Sequence, residues 1–84
     1  MKITIKYFSW IRVKLKKGSE EFDFEKNTTF KMASNILLKK HPIFKEVFND
    51  SSIKFFLNLN EIENQDIALK DGDVIAFLPP VTGG

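Results

Sequence analysis

The sequence predicts an α+β domain, with a mixed sheet and one main helix packed across one face. Two runs of alternating apolar and polar residues flank a glycine-containing turn near the start. One stretch, from Phe30 to Lys40, carries apolar residues at helical spacing. Two further alternating runs follow it, Ile53–Leu59 and Val74–Leu78. A single helix covers one face of such a sheet, so the other face meets solvent or a partner.

The first strand spans Ile3 to Phe8, with Ile3, Ile5 and Tyr7 on one face and Thr4, Lys6 and Phe8 on the other. Ser9 to Leu15 is mixed and reads as a short helix or a turn, and Lys16-Lys17-Gly18-Ser19 as a turn. Glu20 to Glu25 alternates again, with Phe22 and Phe24 sharing a face, which completes a hairpin. Thr28 or Thr29 caps the helix by accepting a bond from a free backbone N–H. Phe30, Ala33 and Leu37 form its buried stripe, flanked by Met32 and Ile36. Pro42 disfavours helical geometry at His41 and ends the helix near Lys40.

Pro42 to Phe48 adds a helical turn, with Ile43, Val47 and Phe48 packing beneath, and Asn49–Ser52 is a loop. The third strand places Ile53, Phe55, Leu57 and Leu59 inward and Lys54, Phe56 and Asn58 outward. A short strand around Glu61–Glu63 follows. Asp71-Gly72-Asp73 turns into the last strand, Val74–Leu78, which Pro79-Pro80 ends because proline donates nothing to a ladder. The order of strands around one helix is that of a β-grasp, ubiquitin-like fold. By analogy with that fold, the last strand lies centrally beside the first.

Size and composition narrow the chemistry. Eighty-four residues make one domain, here residues 1–78 with a tail at 79–84. With no cysteine and one histidine, a thiol nucleophile, a disulfide framework and a multi-histidine or thiolate metal site are excluded. A net charge of +2, without a stacking motif for bases, does not suit a nucleic-acid binder. The cluster of Lys2, Lys6, Arg12, Lys14, Lys16 and Lys17 reads as a solvated face beside the acidic stretch Glu20–Glu25. His41 reads as a surface histidine, with no acid near it in sequence. No apolar run is long enough to span a membrane, and the alternating start does not resemble a signal peptide, so a cytoplasmic protein is expected.

Two features carry the functional expectation. The sequence ends Pro79-Pro80-Val81-Thr82-Gly83-Gly84, six residues without a charged side chain. The prolines stiffen the root and hold it off the sheet, and the final glycines leave nothing to block a narrow active site. The expected reactive group is the carboxylate of Gly84. It is a poor acyl donor until converted to an acyl adenylate, a step whose machinery lies on another protein. The second feature is an apolar set on the helix-free face. Strand parity puts Phe8, Phe56, Val74 and Leu78 there, near the root of the tail, as a partner-binding patch.

These residues resemble the small subunit of molybdopterin synthase, the MoaD-type sulfur carriers of the ubiquitin-like MoaD/ThiS superfamily. The stretch from Asp71-Gly72-Asp73 through Val74 to Pro79-Pro80-Val81-Thr82-Gly83-Gly84 is similar to the family's ending, and Tyr7–Arg12 to the segment after its first strand. The resemblance implies a non-catalytic carrier of a two-subunit sulfurtransferase, with no bound cofactor or metal. A ubiquitin-activating-like enzyme would use ATP to adenylate Gly84, and a sulfur donor would convert it to a thiocarboxylate. The large subunit, in an expected heterotetramer, would pass that sulfur to cyclic pyranopterin monophosphate in molybdenum cofactor biosynthesis. It also implies partner contacts at Phe8, Ile62 and Leu78, and at Arg12. Two positions depart from the pattern: Val74 stands where an acid is frequent, and Val13 where Glu is. The segment Phe56–Glu61 does not align cleanly, so neither Asn58 nor Asn60 is assigned a role. Carriers for thiazole synthesis or tRNA thiolation, and ubiquitin-like modifiers, remain alternatives.

Overall fold

The computed structural model describes residues 1–80. Its elements are β1 (Lys2–Tyr7), α1 (Ser9–Leu15), β2 (Ser19–Asp23), α2 (Phe30–Lys40), α3 (Phe44–Asn49), β3 (Lys54–Leu57), β4 (Asn60–Glu61) and β5 (Val74–Leu78). The sheet runs β2-β1-β5-β3-β4. β1 is antiparallel to β2, with Ile3 opposite Phe22, and parallel to β5, with Ile5 opposite Ile75. β5 is antiparallel to β3, with Phe77 opposite Phe55. The last strand is therefore central, as the fold analogy expects.

Local chemistry sets the boundaries. Ser9, at φ +55°, turns the chain out of β1 into α1, the short helix left open as a helix or a turn. Of the two candidate caps for α2, Thr29 acts: its Oγ1 accepts from the Met32 N–H at 3.1 Å. Thr28 is buried and donates its hydroxyl to the Glu25 carbonyl instead. α2 ends at Lys40, one residue short of the extended His41 that precedes Pro42. Gly72, at φ +87°, permits the turn before β5, where its N–H donates to the Lys2 carbonyl and closes the turn onto β1.

The helices cover the inner face of the sheet. Ile3, Ile5 and Tyr7 of β1, Ile75 and Phe77 of β5, and Phe30, Ala33 and Leu37 of α2 are buried together. Phe77 lies at the centre of an aromatic cluster, with ring centroids 5.3 Å from Phe44, 5.4 Å from Phe55, 5.8 Å from Phe48 and 6.1 Å from Phe30. Phe44 is fully enclosed at the start of α3. Met32 and Ile36, which flank the buried stripe, are exposed.

Leu59 is not on the core face expected of it. The third strand stops at Leu57, and Asn58 and Leu59 form a two-residue turn into β4 with φ of +51° and +72°. Strand parity holds only while the backbone stays extended, and here it reverses before Leu59. The Asn58 carboxamide fixes the reversal, accepting from the Val74 N–H and donating to the Asp73 carboxylate, both at 2.8 Å.

His41 also differs from its expected surface role. Glu20 of β2 reaches it across the fold: His41 Nε2 and the Tyr7 hydroxyl both donate to Glu20 Oε1 at 2.8 Å. Lys40 pairs with Glu20 Oε2 at 2.6 Å. Burial works to raise the Glu20 pKa, but the bonds from Lys40, His41 and Tyr7 outweigh it and hold the carboxyl at about 2, against an ordinary 4.5. Burial, reinforced by the neighbouring Glu20, raises the Tyr7 hydroxyl well above its usual value, so it remains a donor.

A depressed folded-state pKa gives stability that is complete above the unfolded value and is lost as pH falls through the folded one. This clamp of the N-terminal hairpin onto the end of α2 therefore weakens between about pH 4.5 and pH 2. Glu20→Gln should cost about 2–3 kcal/mol at pH 7 and flatten the stability profile in that interval. Urea unfolding across the pH range checks both, and an unchanged profile would refute the assignment.

Candidate functional site

The face of the sheet away from the helices holds the site. Alternation along β1 and β5 turns Lys6, Val74, Ala76 and Leu78 outward while Tyr7, Ile75 and Phe77 enter the core. Pairing then sets the rows. Ala76 lies between Lys6 on β1 and Phe56 on β3, and Leu78 lies opposite Lys54. Phe8 follows the end of β1 and is partly exposed at the N-cap of α1.

These residues surround a hollow of about 220 Å³. Phe8, Phe56, Val74 and Leu78, the four expected from strand parity, all line it. Leu59, Ala76 and Lys6 complete the wall. Leu59 enters only because the β3–β4 turn reverses; the turn-forming asparagines on either side of it, Asn58 and Asn60, were the available signal.

The other expected residues lie elsewhere. Ile62 is half-buried against the core, its N–H bonded to the Phe55 carbonyl at 2.9 Å, and does not line the hollow. Arg12 is exposed on α1, one turn beyond Phe8, and also stands outside the lining. Its side chain lies close over Gly18, where an added Cβ would come within 3.4 Å of Nε. Pro79 is buried, so at the first proline the chain is still packed on the domain rather than held off it, while Pro80 is exposed. Val81, Thr82, Gly83 and the expected reactive Gly84 lie outside the described residues.

The lining carries one cation and no carboxylate, imidazole or hydroxyl group. Its chemistry is that of binding an apolar surface, not of moving protons or attacking a substrate. Among the described residues, no three histidines, cysteines or carboxylates converge to hold a metal ion. No helix among them is long and apolar enough to cross a membrane.

Comparison with known proteins gives this face its context. The model of the ThiS family matches residues 5–84. A Pyrococcus furiosus protein assigned as molybdopterin converting factor subunit 1 superposes with a TM-score of 0.83 at 28% identity, covering 96% of this chain and 99% of its own. The structure of the complex of subunits 1 and 2 of the Helicobacter pylori molybdopterin-converting factor matches with a TM-score of 0.71 at 28% identity over the full length of both chains. Small archaeal modifier protein 1 from Methanosarcina acetivorans matches with a TM-score of 0.80 at 26% identity, over 99% of this chain and 96% of its own. No curated protein sequence matches the chain. The fold common to these structures is the β-grasp.

Proposed function

Because this chain belongs to the ThiS family and is a ubiquitin-like sulfur carrier of the ThiS/MoaD type, we propose that it is the sulfur-carrying subunit of a molybdopterin synthase. The observation that carries this reading is the apolar hollow ending at Leu78, six residues before Gly84, in a chain similar over its whole length to a subunit 1 structurally characterised with its subunit 2. The large subunit docks on Phe8, Phe56, Val74 and Leu78 and receives the tail, from Pro79 to Gly84, in its own active site. Two carriers and two large subunits form the assembly.

Gly84 is the only reacting residue of the carrier. In an activating enzyme related to those of ubiquitin, its carboxylate attacks the α-phosphate of ATP and pyrophosphate leaves. The terminal sulfur of a persulfide donor then displaces AMP to give an acyl disulfide, and a second thiol cleaves its S–S bond, forming a disulfide with the donor and releasing the thiocarboxylate. The carrier binds no cofactor or metal of its own, and its chain offers no cysteine to intercept the adenylate. In the large subunit the thiocarboxylate sulfur bonds to cyclic pyranopterin monophosphate, and water hydrolyses the acyl–sulfur bond, leaving the sulfur on the pterin and returning Gly84 as a carboxylate.

Intact-mass spectrometry tests the first half. With the activating enzyme, ATP and a sulfur source, the full chain should exchange one oxygen for sulfur. Adding the large subunit and the pterin precursor should reverse that exchange. A thiocarboxylate that forms but is never discharged to the pterin points to a carrier for thiazole or tRNA thiolation instead. The likeness to the archaeal modifier favours a second reading, conjugation of Gly84 to lysines. Lysine adducts bearing a Gly-Gly remnant would establish that reading, and their absence under thiolating conditions would remove it.

A further inference from the structure

Leu59 occupies a position the fold gives no reason to fill with leucine. It is 95% exposed, the most exposed of the large apolar side chains among the described residues. Its backbone lies at φ +72°, in the left-handed region where glycine or asparagine sits without strain and leucine does not. Exposed apolar surface and backbone strain both cost stability, and at 95% exposure Leu59 gains little burial among the described residues to offset them.

The residue is nonetheless held firmly in place. Asn58 ties the turn to the start of β5 through its side chain, bonded to Val74 N and Asp73, and through its own N–H, which donates to the Val74 carbonyl at 2.8 Å. Asp73 is fixed in turn, accepting from the Lys70 N–H at 2.8 Å. A side chain held out on a rigid turn loses little freedom when it is buried by another protein.

Two observations say what meets it. Leu59 and Leu78 line the same hollow, and Leu78 is six residues from Gly84. Six residues reach at most about 20 Å, so a protein that encloses Gly84 must come up against this hollow. Lys6 lines the hollow too, and it has no ion-pair partner among the described residues.

We infer that Leu59 is a docking anchor: it inserts into an apolar pocket of the protein that receives the tail, and a carboxylate at that pocket's rim pairs with Lys6. The inference rests on the carrier reading above and adds to it the residues that select the partner. Lys6 contributes a charge whose effect falls with salt, and Leu59 contributes the desolvated contact.

The test is calorimetric titration of the full chain with the molybdopterin synthase large subunit of the same organism. Leu59→Gly should weaken binding by about tenfold or more while its Tm equals or exceeds that of the wild type, because glycine accepts the left-handed backbone. Leu59→Met, which keeps an apolar side chain, should bind within about threefold of wild type. Lys6→Glu should weaken binding about tenfold at low salt and flatten or reverse its salt dependence.

Binding by Leu59→Gly within twofold of wild type would overturn the anchor, and a salt response of Lys6→Glu identical to wild type would overturn the ion pair. Loss of a self-associated state in Leu59→Gly by light scattering, with large-subunit binding kept, would make a second copy the occupant and would also overturn the inference. Failure of the wild-type chain itself to bind the large subunit refutes the carrier's proposed pathway, an outcome distinct from failure of Leu59 alone.

Discussion

A chain ending at Gly83 gains no sulfur when incubated with the activating enzyme, ATP and a sulfur donor that together thiolate the full-length protein. Deleting Gly84 leaves a glycine carboxylate of the same chemical type, so intrinsic reactivity is unchanged. What changes is reach. The carboxylate withdraws by about 3.5 Å, the span of one extended residue. Reaction at the α-phosphate requires approach to about 3–3.5 Å with the attacking oxygen aligned, and a misplacement of 1 Å already costs about a hundredfold. The expected loss is therefore at least about a thousandfold, read as no sulfur-bearing species in the intact mass. Thermal unfolding should be unaffected, because the buried apolar core of the described residues lies between Ile3 and Phe77. Gly84→Ala separates reach from bulk: it keeps the carboxylate at the same chain position and adds one methyl where glycine has none. A slower but measurable thiolation is its expected behaviour. Sulfur uptake by the truncated chain at the wild-type rate would show that Gly84 is not the acceptor.

The features legible in the sequence are those set by local periodicity. β1 and β5 alternate without interruption, so parity assigns Tyr7, Ile75 and Phe77 to the core and Val74 and Leu78 to the outer face. The helix is legible for the same reason, with Phe30, Ala33 and Leu37 buried and a threonine cap at its start. The outer-face patch follows from parity and from having too few helices for two faces, and four of its residues meet at one hollow.

Features that depend on contacts across the fold are not legible. Glu20 and His41 are separated by 21 residues, and no local pattern brings a hairpin carboxylate to the end of α2. Leu59 fails for a related reason. Its place is decided by a turn that Asn58 closes onto β5, sixteen residues further along the chain. Ile62, whose partner contact only the resemblance implies, follows the end of the short β4 at Glu61 and packs half-buried against the core.

Phe77→Ala should unfold the domain, or nearly so, whereas Phe56→Ser should leave it folded and unable to hold its partner. Both phenylalanines lie in the middle of adjacent strands, and they differ in the face they present. Phe77, 1% exposed, packs against Phe30, Phe44, Phe48 and Phe55 and joins α2 and α3 to the central strand. Removing it forfeits the buried area and leaves a cavity that rigid aromatic neighbours cannot fill, at a cost of about 3–5 kcal/mol. A domain of this length has a total stability of only about 4–12 kcal/mol. Loss of the urea transition, or its displacement to low denaturant, is the expected reading, together with loss of near-ultraviolet circular dichroism. Phe56 is half-buried in the open hollow, where serine exposes no core and costs about 1 kcal/mol or less. Its loss falls instead on association, weakening large-subunit binding by about tenfold or more. Thiolation measured per folded molecule then separates the two. In Phe77→Ala it should stay at the wild-type value, since the molecules that do fold keep the outer face and the tail. In Phe56→Ser it should fall with affinity for the activating enzyme and recover as that enzyme is raised. A Phe56→Ser chain that unfolds like Phe77→Ala would show that the outer face supports the fold rather than serving the partner.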